Sequence, residues 1–439
     1  MTESALSDIR VLDLAGETGV YATKLLADLG ADVIRIEHPD GDPLRDVGPF
    51  WHDEGRADRS LSFFNLNTSK RSITLDLEKP EGRETFKRLV RSADVVVETF
   101  APGYLDALGL GYAGLREIKP DIILTSITGF GQTGPHATYR WADIVGVAMS
   151  GMMTLAGDPQ DPPNRPYGNQ GYIGAGIDGA AGTLMALYHR DNTGEGQHVD
   201  VSVQEVLSIN QEVAMVTWDM NQRIVKRTGG RGIVPIEIPG IGTYKAKDGE
   251  IFGYLGTPGG APWTVMFDWM AEEGLAEDLG EEPYIVMVRN LNMGFLTGLA
   301  RPERHADLLR PFGDHVKQRG DLLGILKHVW EVFTRFCAAK TKWELYEGGQ
   351  RRRLLIGIVS TPEDLVNNPQ LAARQWYQDV VHDEMGATVR YPGPPFRMSE
   401  TPWAIKRRPP LPGEHTEEVL TELGITEDEI ERLRAAGAV

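Results

Sequence analysis

The stretch IRVLDLAGETGVYATKLLADLGADVIRIE, Ile9 to Glu37, decides how the rest of the chain is read. IRVLDL is a short, largely apolar run of the kind that forms a strand buried on both faces of a parallel sheet. VYATKLLADLG then carries its apolar residues at helical spacing and closes on Gly30, a residue suited to ending a helix. DVIRIE, residues 32–37, is a second apolar run. The pattern recurs in SITLDL, in a helix from about Pro80 to Ser92, in DVVVET, and in DIILTSIT at Asp121 to Thr128. Strands alternating with helices predict an α/β fold, a parallel sheet with helices on both faces.

Beyond about residue 205 the pattern changes to long helices rich in Trp and Met, such as TVMFDWMAEEGLA and GILKHVWEVFTRFCAAK, which predict a smaller second domain. Past RRRLLIGIVSTPEDL the chain is mixed again. It runs through the proline-rich YPGPPFRMSETPWAIKRRPPLPGEH to an amphipathic segment, TEDEIERLRAAG, with a threonine cap at Thr426 and an acidic first turn.

The chain has 439 residues, 63 Asp and Glu against 45 Lys and Arg, and a formal net charge of -18. Such a balance argues against nucleic acid and anionic membrane surfaces as partners. No apolar run approaches the roughly 18 residues needed to span a bilayer, and the first residues lack the basic start and apolar core of a signal peptide, so a cytoplasmic location is expected. The single cysteine, Cys337, excludes an internal disulfide and reads as a buried core residue. The ten histidines include no HExxH pair, and no metal site is expected.

Several loops fall where a parallel sheet binds ligands, at the carboxyl ends of its strands. LAGETGVYATKLL sets Gly16 and Gly19 between a strand and a helix, where backbone amides can meet an anion or simply turn tightly. A nicotinamide-binding turn would read G-x-G-x-x-G, which is absent, although Glu37 ends the second strand as a ribose-binding acid would. NLNTSKRS brings Lys70 and Arg71 to a strand start, ETFAPG places Pro102 and Gly103 after another strand, and SITGFGQTGP is a glycine-rich loop. Ser150 in GVAMSGMM lacks the glycine spacing of a nucleophile elbow. The segment GNQGYIGAGIDGAAGTLMALYHRDNTGEGQHVDVS, Gly168 to Ser202, reads as a helix, a turn and a strand. Its helix carries Gly174, Gly176, Gly179 and Gly182, each costing about 1 kcal/mol relative to alanine. Close approach of another backbone or of a ligand arm would offset that cost.

In this order, LLADLGADVIRIEHPDGDPLR, NLNTSKRSITLDL, GFGQTGP, TGEGQHVDVS, NPQLAARQWY and LPGEHTEEVLTELGI resemble the family III CoA-transferases, the group of formyl-CoA transferase and the α-methylacyl-CoA racemases. The resemblance implies a large Rossmann-like domain from both chain ends (1–205 and 346–439), a linker at 206–235 and a small domain at 236–345. It further implies an interlocked dimer, either a homodimer or a heteromer with a paralogous subunit. Coenzyme A is then a substrate, with an acyl-CoA and a carboxylic acid as partners and no permanently bound cofactor.

The family's acyl-carrying aspartate precedes a glycine by four residues, and an ungapped count from Arg190 and Gly194 puts Tyr172 at the aspartate and Gly176 at the glycine. A phenol forms no mixed anhydride, so the chain reads as a subunit lacking the usual nucleophile. Asp178, with Gly182 four residues on, is the competing candidate and requires a shift of nearly two helical turns, about 9 Å. The catalytic histidine of the racemases corresponds to Ala142, beside Asp143. By the same resemblance CoA contacts fall on Gly16, Thr18, Arg35, Leu66, Asn67, Lys70, Arg71, Thr99, Phe100, Gly129, Gly131 and Gly134, with the phosphates near Lys70 and Arg71. Thr99 stands where the family's ENFxPG has asparagine. Gly259 and Gly260 match a loop that closes over the substrate. Trp218, Met220, Trp263 and Trp269 hint at a bulky acid. The alternatives are a non-catalytic acyl-CoA-binding or regulatory protein, another acyl-CoA reaction on the same fold, and, less favoured, an NAD-dependent oxidoreductase.

Overall fold

The computed structural model describes residues 4–55, 58–211, 213–231, 237–299 and 305–439. The chain divides into two compact units. The larger takes Met1–Thr154, Arg165–Ile224 and Pro369–Val439, and the smaller takes Leu155–Asn164 and Val225–Asn368.

In the larger unit, β1 (Arg10–Leu14), β2 (Asp32–Glu37), β3 (Arg71–Thr74), β4 (Val95–Glu98), β5 (Ile123–Thr128) and β6 (His198–Ser202) form one sheet in the order β3-β2-β1-β4-β5-β6. All neighbouring pairs are parallel. The apolar runs form strands because both faces are covered. Val11 and Val97 point into a core shared with the helices Val20–Asp28 and Gln170–Thr193. Their neighbours Leu12 and Val96 point the other way, onto Phe86, Leu89, Leu115 and Val419, the alternation a strand imposes. Because β1 lies between β2 and β4, the chain winds outward in both directions from it, and a crevice opens at the carboxyl ends of these strands.

The chain's end completes this unit. Val419 joins the second core, Ser69 N–H donates to the Arg407 carbonyl at 3.0 Å, and Asp76 N–H donates to the Ala438 carbonyl at 2.9 Å. The unit resumes at Pro369, later than the expected 346, because β9 (Ile356–Val359) pairs with β8 (Gly249–Tyr254) of the smaller unit. Residues 206–224 of the expected linker belong to the larger unit and include the helix Val213–Asn221. Positions 212 and 232–235 of that linker, and position 236 of the expected small domain, lie outside the described residues.

The glycines of the helix Gln170–Thr193 are explained by packing within the chain. A Cβ on Gly176 would stand 2.7 Å from the Tyr21 Cβ and 3.0 Å from the Ala22 nitrogen; one on Gly179 would meet Ile127 at 2.5 Å, and one on Gly182 would meet Val199 at 2.9 Å. That face is filled by the helix Val20–Asp28 and the sheet, so it has no room for a ligand arm.

In the smaller unit, β7 (Ile241–Ala246), β8 and β9 form an antiparallel sheet. Its core includes Trp263, Trp269, Phe333, Phe336 and Cys337. Trp263 and Trp269 are therefore core residues, whereas Trp218 and Met220 are exposed. Burial pushes the Cys337 thiol far above its ordinary pKa, which leaves it protonated and inert.

Candidate active site

A cavity of about 310 Å³ opens at the carboxyl ends of β1 to β4. It brings together four residues expected from the sequence, Gly16, Arg35, Thr99 and Phe100. The turns after β1 and β4 are tied to each other: Gly16 N–H donates to Thr99 Oγ1 at 2.7 Å, and a Cβ on Gly16 would stand 3.1 Å from that oxygen. Thr99 is thus a brace for the crevice as well as part of its wall. Arg35 is buried, donating to Asp42, to Asp13 at 3.2 Å and to the Ala15 carbonyl at 3.0 Å. The wall also contains Leu75, Asp76, Leu77 and Glu78, which sequence reasoning missed. They directly follow β3, and the rule that ligands sit beyond the ends of parallel strands was the available signal. Glu37 and Asp42 in the lining are paired with Arg45 and Arg35, so its electronegative character comes from Asp76 and Glu78. Glu37 is no free ribose acceptor, since both its oxygens take 2.7 Å bonds from Arg45.

Leu66, Asn67, Lys70 and Arg71 line none of these walls. Leu66 packs beside Phe63, Phe64 and Tyr391. Asn67 donates to the Phe63 carbonyl and accepts from Lys70. The Lys70 ammonium is fully buried, 2.9 Å from Asp13 and 2.8 Å from Thr23 Oγ1. Burial brings it down to about 8 despite Asp13. Burial also opposes the Asp13 charge, but Lys70 and Arg35 outweigh it and hold that carboxyl below the usual range. Arg71 is spent at the sheet edge on Asp32, Glu418 and Glu422. Neither cation is presented to a phosphate: the pair that looked like an anion site is a structural ion-pair network.

A second cavity, of about 270 Å³, shares Thr99 and Phe100 with the first and adds Thr18, Gly129 and Trp141. Gly129 makes room for the indole, since its Cβ would come within 2.4 Å of Trp141. Gly131 and Gly134 do not line it. Their φ of 83° and 99° show that they shape the loop that follows.

Tyr172 stands at this end of the site, in the first turn of its helix, with its ring centroid 5.6 Å from that of Trp141. Its hydroxyl accepts from the Asp143 backbone N–H at 3.1 Å. In return Asp143 Oδ1 accepts from the backbone N–H groups of Gly171 at 2.8 Å and Tyr172 at 3.3 Å, so two helix starts cap each other. Burial, and then the charges of Glu17 and Asp143, push the phenol above its ordinary range and keep it a hydrogen-bond donor. Asp178, six residues on, is exposed and lines neither cavity. Its neighbours Ile177, Met185 and Tyr188 are exposed apolar residues. Ser150 donates to the Val147 carbonyl within its own helix turn.

In the smaller unit Gly259 has a φ of 93°, and Gly260 lines a separate cavity of about 400 Å³ with Thr257, Trp263 and Asn292.

Residues 6–283 and 295–416 match the family model of CoA-transferase family III. A relative from Thauera aromatica, succinyl-CoA:(R)-benzylsuccinate CoA-transferase subunit BbsE, is 37% identical over 99% of this chain and 98% of its own length. Formyl-CoA:oxalate CoA-transferase of Streptomyces coelicolor is 33% identical over 100% of both chains. The crystal structure of a CAIB/BAIF family protein from Brucella suis superposes with a TM-score of 0.77 at 27% identity, covering 96% of this chain and 100% of the other. With its parallel sheet, its crevice and nearly every residue aligned, the chain belongs to CoA-transferase family III.

Proposed function

We propose that this chain moves CoA between carboxylic acids as one subunit of a heteromeric transferase. The observation that carries the reading is position 172. By the ungapped count along the helix, a tyrosine whose hydroxyl is tied to Asp143 stands where the acyl-carrying aspartate is expected. Support for a paralogous partner comes from two relatives that are themselves named subunits, BbsE and the beta subunit of a succinyl-CoA–L-malate CoA-transferase, the latter 30% identical over 99% of this chain. Ile177, Met185, Tyr188, Ile209, Trp218 and Met220 are large apolar residues left exposed in the larger unit, of the sort that a subunit covers.

The adenosine end of CoA occupies the cavity at β1 to β4, whose wall is apolar at Leu75 and Leu77. The pantetheine arm follows the second cavity past Thr99 and Phe100 toward Trp141. Tyr172 then donates a hydrogen bond to the acyl carbonyl, and Gly259 and Gly260 belong to the closing loop. No permanently bound cofactor takes part. The other reading, an acyl-CoA-binding subunit without turnover, is favoured by the phenol alone. Transfer of CoA from succinyl-CoA to free carboxylic acids, measured for the purified chain and for the chain mixed with an aspartate-bearing paralogue, separates the two. Turnover in the mixture supports the proposal, and CoA binding without turnover in either sample overturns it.

A further inference from the structure

The heteromer reading leaves this chain's own crevice without a carboxylate at position 172. We propose that Glu17 is the acyl-accepting carboxylate of that crevice. The proposal rests on the CoA-transferase reading and goes beyond it.

Glu17 sits in the turn after β1 and lines neither cavity itself, but it is flanked by Gly16, which lines the first, and Thr18, which lines the second. It is half-buried, and its Oε1 accepts a hydrogen bond from Asn169 Nδ2. Asn169 caps the helix Gln170–Thr193, three residues before Tyr172. Thr18 is in turn reached by Trp141 Nε1 at 3.5 Å, and the Trp141 ring packs against Tyr172. Glu17, Thr18, Trp141 and Tyr172 therefore converge on one end of the glycine helix, with Glu17 arriving from the sheet side. Its charge is felt by Tyr172, and its own carboxyl is raised mainly by burial, with Asp143 adding to the rise.

The neighbouring carboxylates are otherwise employed. Asp143 is held by two backbone amides, with Arg165 at 3.8 Å from its other oxygen. Asp42 and Glu37 pair with arginines, Asp76 Oδ1 accepts from Glu78 N–H, and Glu78 takes the Tyr104 hydroxyl. Asp178 is on the exposed face. Glu17 differs from Asp76 and Glu78 in its place, at the Trp141 and Tyr172 end of the site, and from Asp42 and Glu37 in being anchored by a neutral side-chain amide and not by an arginine.

The chemistry closes without an added oxidant or proton source. An ionised Glu17 oxygen attacks the thioester carbonyl carbon; a C–O bond forms, the C–S bond breaks and CoA leaves as thiolate. The thiolate attacks the Glu17 carbonyl carbon of the mixed anhydride, expels the donor carboxylate and leaves a glutamyl-CoA thioester. The acceptor carboxylate attacks that thioester carbon and frees the thiolate again. The thiolate then takes the acceptor's acyl carbon, releasing the new acyl-CoA and restoring the Glu17 carboxylate.

The test uses the chain assembled with its aspartate-bearing paralogue, turning over succinyl-CoA as the probe, quenched with hydroxylamine or borohydride and read by peptide mass spectrometry. The expected result is a hydroxamate, or after borohydride an alcohol, on the Glu17 peptide of this chain. Labelling should fall to background in Glu17→Gln and persist in Glu17→Asp at lower yield, with melting temperatures reporting that both variants fold. Turnover with no label on Glu17, or with label on Asp143 or Asp178 instead, overturns the inference and leaves the transferase reading standing. Absence of turnover in every combination takes down both.

Discussion

Two regions of the larger unit both looked like ligand anchors: the polar segment 65–72 with its adjacent cations, and the turn around Gly16, which has no cation, with Thr99 and Phe100 opposite. The structure gives them opposite roles. The first is buried and paired, with Lys70 on Asp13 and Arg71 on Asp32, Glu418 and Glu422. The second forms the walls of both cavities. A cation in a sequence reports that charge exists, and only its partners decide whether that charge is free to meet a ligand.

The sharpest way to break this contrast is Lys70→Ala. Removing Lys70 leaves the buried Asp13 carboxylate with Arg35 as its remaining cation, and a loss of about 3 kcal/mol, the lower end for a broken buried pair, is expected in urea unfolding. CoA affinity of the folded protein, read by calorimetry, should change little. Loss of CoA binding at unchanged stability would return Lys70 to the ligand. Next in size is Gly176→Ala, which gains about 1 kcal/mol of helix propensity but drives a Cβ into Tyr21 and Ala22. A net destabilisation of roughly 1 to 2 kcal/mol is expected, whereas Asp178→Ala on the exposed face should stay within about 0.5 kcal/mol. Equal effects at the two positions would mean that the glycine face is not the packed one.

Smaller again is Glu78→Lys, which removes an acid from the electronegative wall and adds a cation. CoA should bind roughly two- to fivefold more tightly at low salt. The gain should shrink for dephospho-CoA and fade in high salt. An unchanged affinity would place the phosphates elsewhere. The last effect is a slope. The folded-state pKa of Lys70, about 8, lies below that of an unfolded lysine. The unfolded chain therefore holds the extra proton between about pH 8 and 10, and this group's contribution to stability rises with pH across that window. In Lys70→Met, stability measured at both ends of the window should rise less steeply than in the wild type.

The parallel sheet was legible because its signal is local: IRVLDL, DVIRIE and DVVVET each announce a strand buried on both faces. The burial of Cys337 was legible for the same reason, beside Phe333 and Phe336 on one helix. The allocation of charge was not, because the partners lie far apart in sequence, Asp13 with Lys70 and Arg71 with Glu422 at the other end of the chain. The unit boundary at Pro369 was hidden likewise, since it depends on β9 finding β8 about a hundred residues earlier. Within the site, counting along one helix singled out Tyr172. It could not reveal the mutual capping with Asp143, which needs two helix starts brought side by side.

That mutual capping also bears on which residues position 172 accepts. An aspartate at 172 would lose the hydroxyl that receives the Asp143 amide and would set a second acid next to the Asp143 carboxylate, already without a hydrogen bond on Oδ2. Positions 143 and 172 are thus interlocked: neither can be exchanged alone without leaving a group on the other helix start without its partner.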